Sequence, residues 1–122
     1  MRGGDRTALG LWGEEQAARH LRWRGYRILA RRYRCREGEI DLVAARGRYL
    51  CFVEVKLRKD AALAEAREFV TPAKQRKVRT AALHYLVEHP TDRQPRFDVV
   101  EVYAPYGEET RRPEIKHWEN VF

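Results

Sequence analysis

The feature that most constrains this chain is the stretch Gly38–Lys56, in which charged residues interrupt apolar segments. Two such segments flank a short polar turn at Arg46-Gly47-Arg48, a pattern that predicts a β-hairpin. Asp41 lies in the first segment, and Glu54 and Lys56 lie in the second. The second segment is apolar on both faces, which favours a central strand of a sheet. Charges at such positions need a partner, because an isolated charge is costly to bury.

Strand geometry brings the two acids of the hairpin together. Side chains alternate across a strand, so Glu54 and Lys56 share one face. A turn near Gly47 sets Asp41 opposite Glu54 or makes them diagonal neighbours, and opposed pairs have Cβ atoms about 5 Å apart. Two such carboxylates repel each other, and a divalent cation between them turns the repulsion into binding.

The chemistry of these groups indicates which ion would bind. Carboxylate oxygens favour Mg²⁺ or Mn²⁺, and Mg²⁺ keeps several waters that a phosphate can displace. Lys56 reaches the same space, where it can hold a water or act as a base. The alternative is a structural ion pair between a lysine and an acid on a sheet face.

The charge of the chain is uneven along its length. With 122 residues the chain is long enough for one domain, 1–122, with a core of its own. The net charge is +7, and the first 37 residues hold ten arginines against four acidic residues, which gives +6. A basic amino-terminal third beside an acidic pocket suits a polyanion that is bound through its phosphates and cut at a metal. The alternative is a solvated arginine-rich surface.

Composition argues against several classes of protein. The sequence has no run of 18 apolar residues and no signal-peptide core, so it predicts no membrane span. No predicted helix pairs a broad apolar face with a face of lysines and arginines alone, so a membrane partner is not expected either. Cys35 and Cys51 make no zinc-ligand spacing and no disulfide framework, which fits a reducing cytoplasm. The four histidines, at 20, 84, 89 and 117, lack the helical spacing of ligand pairs. The sequence therefore predicts a cytoplasmic protein without a zinc site.

Caps and apolar periodicity divide the chain into helices and strands. Thr7 caps a first helix, and Thr71-Pro72 starts a second, because a capping threonine precedes a proline in the first turn. Residues 58–69 break the pattern and predict a surface connection, with a mobile lid as the alternative. In chain order we predict a helix over 7–24, a strand over 26–33, the hairpin, a helix over 71–89, a strand over 96–103 and an edge strand over 114–122.

Three positions outside the hairpin are candidates for the acidic site. Glu14 falls on the apolar face of the first helix, so it is either a third acid over the hairpin or the partner of a nearby arginine. Lys74 and Gln75 continue the buried stripe of the second helix back to its start, where backbone N–H groups favour anions. They are candidates to contact substrate or orient the site. The alternative is that their polar ends simply reach water.

Basic residues near the hairpin are candidates for phosphate contacts. Arg32, Arg34 and Arg36 are spaced two apart, so an extended chain would project all three on one side, as a phosphate-binding row does. Arg58 and Lys59 lie at the root of the connection after the hairpin, and we expect them to touch phosphate as well.

Six short motifs follow one another along nearly the whole chain. They are Gly13-Glu14, Gly25-Tyr26, Gly38-Glu39-Ile40-Asp41-Leu42-Val43-Ala44, Phe52-Val53-Glu54-Val55-Lys56, Thr71-Pro72-Ala73-Lys74-Gln75 and Arg96-Phe97-Asp98-Val99-Val100. In this order they resemble the YraN family, a bacterial group of predicted endonucleases. The core pattern of Asp41, Glu54-Val55-Lys56 and a preceding helical glutamate is also similar to the archaeal Holliday junction resolvases. Those enzymes belong to the restriction-endonuclease-like superfamily.

The resemblance implies an α/β fold in which α-helices flank a mixed central β-sheet, with an αβββαβ core. It also implies that Asp41 and Glu54 bind Mg²⁺ or Mn²⁺ with help from the Val55 carbonyl. The resemblance further implies that Lys56 positions or activates the water, that Glu14 supplies another carboxylate and that Gln75 supports the site.

Two hypotheses from different classes follow. The first is a metal-dependent endonuclease that hydrolyses phosphodiester bonds of DNA, including branched or junction DNA, at a metal that activates water. A junction presents two strands to cut, so this hypothesis also predicts a homodimer. The second is a non-catalytic nucleic-acid-binding or assembly module that keeps the nuclease fold, in which the acids are structural.

Overall fold

The computed structural model describes residues 7–59 and 70–122, which form a five-stranded sheet with one helix packed on each face. The elements are α1 (Ala8–Trp23), β1 (Arg27–Arg34), β2 (Glu39–Arg46), β3 (Tyr49–Arg58), α2 (Pro72–Glu88), β4 (Gln94–Tyr103), a 3₁₀ turn (Gly107–Glu109) and β5 (Glu114–Trp118). The sheet order is β1-β2-β3-β4-β5, and only the β3–β4 pair is parallel among the strands described. The prediction of an α/β protein with a mixed central sheet is confirmed.

Local sequence signals set the helix starts as predicted. The Thr7 side chain accepts a hydrogen bond from the Gly10 N–H at 3.0 Å, and Thr71 accepts one from the Lys74 N–H at 3.1 Å. Each satisfies a backbone donor that the first helical turn leaves without a partner. The predicted connection at 58–69 lies mostly outside the described residues, although β3 continues to Arg58. Neither described helix is long and apolar enough to cross a membrane.

The core has two layers, one on each side of the sheet. The α1 layer joins Ala17, Ala18 and Leu21 to alternate residues of the strands, such as Leu42 and Val53. The α2 layer joins Val78, Ala81, Ala82 and Tyr85 to the opposite face, which includes Val43 and Phe52. Phe52 and Val53 are neighbours in β3 and are both fully buried, so β3 is the central strand that its two-sided apolar pattern predicts.

Two glycines allow close approaches that position the neighbouring acids. A Cβ on Gly13 would lie 2.8 Å from Leu57 Cδ2, so α1 packs directly on β3 just before Glu14. A Cβ on Gly38 would lie 2.7 Å from the Lys77 carbonyl oxygen, so the β1–β2 turn lies against α2. At Gly38 a larger residue would push the turn and α2 apart, because the close atom belongs to the backbone, whereas at Gly13 the Leu57 side chain would have to move.

Strands β1 and β2 share an irregularity that the sequence pattern did not indicate. Arg32 has a left-handed φ of 49°. On β2, Ile40 packs in the α2 layer and Leu42 in the α1 layer, although residues two apart share a face in a regular strand. The alternation therefore breaks at Asp41, which directs its side chain along the sheet towards β3.

The same irregularity corrects one prediction. Arg32, Arg34 and Arg36 do not form a row on one strand face, because Arg32 adopts the left-handed conformation and β1 ends at Arg34. Arg36 lies in the following turn, which a hydrogen bond from the Cys35 N–H to the Gly38 carbonyl closes at 2.9 Å.

Candidate functional site

The candidate site lies where β2 and β3 separate. Their register runs from Arg46↔Tyr49 to Leu42↔Val53, which matches the first of the two predicted registers, the one that sets Asp41 opposite Glu54. Beyond Val53, the Val55 N–H donates to Asp41 Oδ2 at 2.8 Å instead of to a backbone carbonyl of β2. The Asp41 carboxylate is thus fixed at the end of the ladder by a charge-assisted hydrogen bond.

Four carboxylates from three elements line one cavity of about 190 Å³ at this point. Glu14 comes from α1, Glu39 and Asp41 from β2, and Glu54 from β3. Glu14 and Glu54 are each only 7% exposed. The structure therefore brings together the three predicted acids, Glu14, Asp41 and Glu54, and adds Glu39. The sequence analysis missed Glu39, although its position two residues before Asp41 was a usable signal.

Basic side chains stand around the rim of this cavity. Glu54 Oε2 lies 3.6 Å from Lys56 Nζ and 3.4 Å from Lys74 Nζ. Glu14 Oε1 lies 3.8 Å from Arg32 Nε. The three cationic side chains are between 29% and 42% exposed, so they are solvated side chains at the rim and do not fill the interior. The structural ion pairs that the sequence left as an alternative are present, and they leave a cavity between the acids.

The donor set fits a hard divalent cation. Every side-chain oxygen that lines the cavity belongs to a carboxylate, and oxygen-only sites suit Mg²⁺ and Mn²⁺. Burial of Glu14 and Glu54 raises the cost of their negative charge, and a bound cation would offset that cost. Val55 also lines the cavity, and its N–H contacts Asp41, whereas a role for its carbonyl as a ligand stays a prediction.

A basic cleft adjoins the acidic cavity. It has a volume of about 420 Å³, and four cationic residues line it, namely Arg34, Arg36, Lys74 and Lys77. Glu39 and Lys74 line both the cleft and the cavity, so the two are direct neighbours. Lys77 was not predicted, although its position three residues after Lys74 places it on the same helix face.

Three other predicted residues line neither the acidic cavity nor the basic cleft. Gln75 Nε2 donates to the Val70 carbonyl at 3.0 Å, so its described contact holds the entry to α2. Arg58 Nε lies 3.3 Å from Glu101 Oε2, and Glu101 is only 1% exposed, so Arg58 compensates a buried acid. Lys59 lines a separate cavity near Tyr103 and is exposed. A phosphate contact by Arg58 or Lys59 stays a prediction.

Asp98 of β4 is fully buried. It accepts hydrogen bonds from Arg96, His117 and the Asn120 N–H at 2.8 to 3.0 Å. Burial on its own would raise the pKa of Asp98, but the hydrogen bonds from His117 and Arg96 bring it below the ordinary value.

Comparison with known proteins places these motifs in a family. The model of the uncharacterised protein family UPF0102 matches residues 13–102. A UPF0102 protein of Nocardia farcinica is 45% identical over 120 residues, which cover 98% of this chain and 92% of the relative. A UPF0102 protein of Syntrophotalea carbinolica is also 45% identical, over 96% of this chain and 93% of its own. One of Rhodococcus opacus is 41% identical over 94% of this chain and 96% of its own. The matched region contains Glu14, Asp41, Glu54 and the start of α2, so the resemblance to the YraN group is confirmed and the chain belongs to the uncharacterised protein family UPF0102.

Proposed function

We propose that this protein is a Mg²⁺- or Mn²⁺-dependent endonuclease that hydrolyses phosphodiester bonds of DNA, with residues 1–122 acting as one restriction-endonuclease-like domain. The observation that carries the proposal is the convergence of Glu14, Asp41 and Glu54 on one cavity at the end of the β2–β3 ladder. The element order α1-β1-β2-β3-α2-β4 supports it, because it is the αβββαβ core of that superfamily.

The contacts suggest how the residues would share the work. A bound divalent cation would supply Lewis acidity and lower the pKa of a water molecule. Asp41 and Glu54 would hold the cation, with Asp41 fixed by the Val55 N–H and Glu54 held between two lysines. Lys56 would orient the attacking water, because it lies beside Glu54 on the same face of β3.

The basic cleft would hold the DNA backbone next to the cavity. Its four cations, Arg34, Arg36, Lys74 and Lys77, can contact successive phosphates, and such contacts position a nucleic acid without reading its sequence. Lys74 faces both spaces, so it is the residue best placed to bring a phosphate from the cleft to the acids.

The experiment is a cleavage assay on labelled branched and linear DNAs with Mg²⁺, with Mn²⁺ and with EDTA. We expect cleavage that depends on the metal and that falls at least about a hundredfold in Asp41→Asn and Glu54→Gln, because each substitution removes a ligand charge. Asp92→Asn is the matched control, since Asp92 is an exposed acid in the α2–β4 loop. Normal cleavage by Asp41→Asn would exclude this site.

One observation favours a second function, a nucleic-acid-binding or assembly module without efficient cleavage. Glu14 and Glu54 already have basic partners within 4 Å, so they can be stable without a metal. Titration with Mn²⁺ separates the two functions. A Mn²⁺ site that is lost in Glu54→Gln supports the endonuclease. Salt-sensitive DNA binding that metal does not change supports the non-catalytic binding module.

A junction substrate would add a requirement for two cavities, which a homodimer would supply. Light scattering of the protein alone and with a four-way junction would test this. We expect a mass of two chains per junction, and one chain per junction would argue for a substrate with a single cleavage site.

A further inference from the structure

A second group of side chains that could bind a metal lies at the basic cleft, and two of its three members, Cys35 and Glu37, line that cleft. It consists of Cys35 and Glu37 from the β1–β2 turn and His84 from α2. One ligand atom from each of the three residues lies within 4.8 Å of the others. The Cys35 Sγ to Glu37 Oε1 distance is 3.5 Å, and the His84 Nε2 to Glu37 Oε1 distance is 3.2 Å. Ligands around one tetrahedral ion have similar separations, because each is about 2.0 to 2.3 Å from the metal.

We propose that Cys35, Glu37 and His84 form a zinc site that joins the β1–β2 turn to α2. A thiolate, an imidazole and a carboxylate together suit Zn²⁺ and not Mg²⁺, because Mg²⁺ binds oxygen ligands. Three protein ligands leave a fourth position for a water. Binding would release the thiol proton of Cys35 to the solvent, because the thiolate is the ligand.

The surrounding backbone is arranged for such a site. The turn is closed by the hydrogen bond from the Cys35 N–H to the Gly38 carbonyl, which keeps Cys35 and Glu37 on a short, defined loop. Gly38 lies against the Lys77 carbonyl, and that contact already brings the turn close to α2. The three ligand atoms therefore need little backbone movement to bind one ion.

The position gives the site a role. The turn carries Arg36 in the basic cleft and leads directly into Glu39 and Asp41 of the acidic cavity. An ion between the turn and α2 would fix the two walls of the cleft to each other, since Lys74 and Lys77 come from α2. The site would thus be structural and separate from the acidic cavity.

Sequence spacing rules could not find this group. They look for cysteine pairs or for histidines one helical turn apart, and they predicted no zinc site. Here two ligands come from a turn and the third comes from a helix that is distant in sequence, so only the fold brings them together.

Titration of the purified protein with Co²⁺, followed by displacement with Zn²⁺, tests the proposal. We expect absorption bands typical of tetrahedral Co²⁺ with a thiolate ligand, and we expect these bands to saturate at one Co²⁺ per chain, whatever further Co²⁺ the acidic cavity binds. Cys35→Ser and His84→Ala should weaken Zn²⁺ binding by at least about tenfold. His89→Ala is the matched control, because His89 is an exposed histidine that caps the carboxyl end of α2 and does not belong to the group. Glu54→Gln should leave the thiolate absorption bands unchanged, which separates this site from the acidic cavity.

Alkylation of the thiols gives a second measurement. Cys51 is fully buried, and burial raises the pKa of its thiol to about 12, so Cys35 is the cysteine expected to react. Zn²⁺ should slow the alkylation of Cys35 in the wild type and should have no effect in His84→Ala. Binding without a thiolate band, equal binding by His84→Ala, or protection that persists in that variant would overturn the proposal.

Discussion

Two of the regions in which this protein buries carboxylates differ in how the negative charge is compensated. Asp98 is fully buried and bonds to Arg96 and His117, whose side chains are only 10% and 1% exposed. In the acidic cavity, Glu14 and Glu54 are also buried, but the cationic partners that the described residues give them lie 3.4 to 3.8 Å away and are partly in solvent. The first region is a closed network, and the second is open to a ligand.

The comparison shows that burial of an acid does not by itself mark a functional site. Both regions carry an aspartate between apolar residues of a strand, and the sequence patterns around Asp41 and Asp98 are alike. The difference lies in the partners. Rigid donors from β4 and β5 saturate Asp98, whereas long side chains at the rim leave a cavity among the other acids. The open arrangement is the one that can exchange a lysine contact for a metal ion.

Removal of the Asp98 carboxylate is expected to have the largest effect on stability. Asp98→Ala leaves Arg96 buried without its main partner, and breaking a buried ion pair costs about 3 to 5 kcal/mol. Glu54→Gln should change stability by less than about 1 kcal/mol, because the partners of Glu54 are solvated and can move away. Urea unfolding of both variants measures the two costs. If they are similar, the distinction between the closed and the open region is wrong.

The pH dependence of stability should follow the closed region. The pKa of Asp98 is lower in the folded protein than in the unfolded chain, so the folded state binds fewer protons in the window between the two values. The contribution of Asp98 is therefore fully present above the ordinary carboxyl pKa and is lost as the pH falls through the folded pKa. Urea midpoints between neutral and acidic pH should fall less steeply in Asp98→Asn than in the wild type. Parallel pH profiles would contradict the assignment.

Disturbing the contact of Gly38 with α2 should lower the stability of the fold by an intermediate amount. Gly38→Ala places a methyl group 2.7 Å from the Lys77 carbonyl oxygen, so either the turn or the helix has to shift, at about 1 to 3 kcal/mol. Gly47→Ala is the comparison variant for backbone strain without a clash, because a Cβ there meets no described atom within 4 Å and only its left-handed φ of 57° is strained, so it should leave DNA affinity unchanged. That strain is about 1 to 2 kcal/mol.

Thermal unfolding gives the stabilities of the two glycine variants, and DNA affinity shows whether the basic cleft has changed. A Gly38→Ala variant with unchanged stability and affinity would mean that the turn does not need this close contact.

Much of the fold and the acidic site could be predicted from the sequence because the signals are local. Thr7 and Thr71-Pro72 mark the helix starts, and the apolar residues on both sides of Glu54 mark a central strand. The turn at Gly47 fixes the register that brings Asp41 next to Glu54, since hairpin pairing depends on the turn.

The features that the sequence did not predict depend on contacts between distant segments. The left-handed Arg32 breaks the alternation of β1, and no composition cue marks that position. Arg58 turns to Glu101, 43 residues further along the chain, because tertiary packing supplies that partner. Lys77 enters the cleft only because Gly38 lets the β1–β2 turn lie against α2.

The smallest expected effect concerns single phosphate contacts in the basic cleft. Lys77→Ala removes one cation from the wall of the cleft, so it should weaken DNA binding by less than about tenfold and reduce the salt-dependence slope by about one, as for one lost phosphate contact. Arg111→Ala is the matched control, because Arg111 is an exposed cation that lines a different cavity. Fluorescence anisotropy over a series of salt concentrations measures both quantities. If the two variants have the same salt-dependence slope, the DNA does not lie in the basic cleft. The basic cleft is then not the surface that holds phosphates beside the acidic cavity.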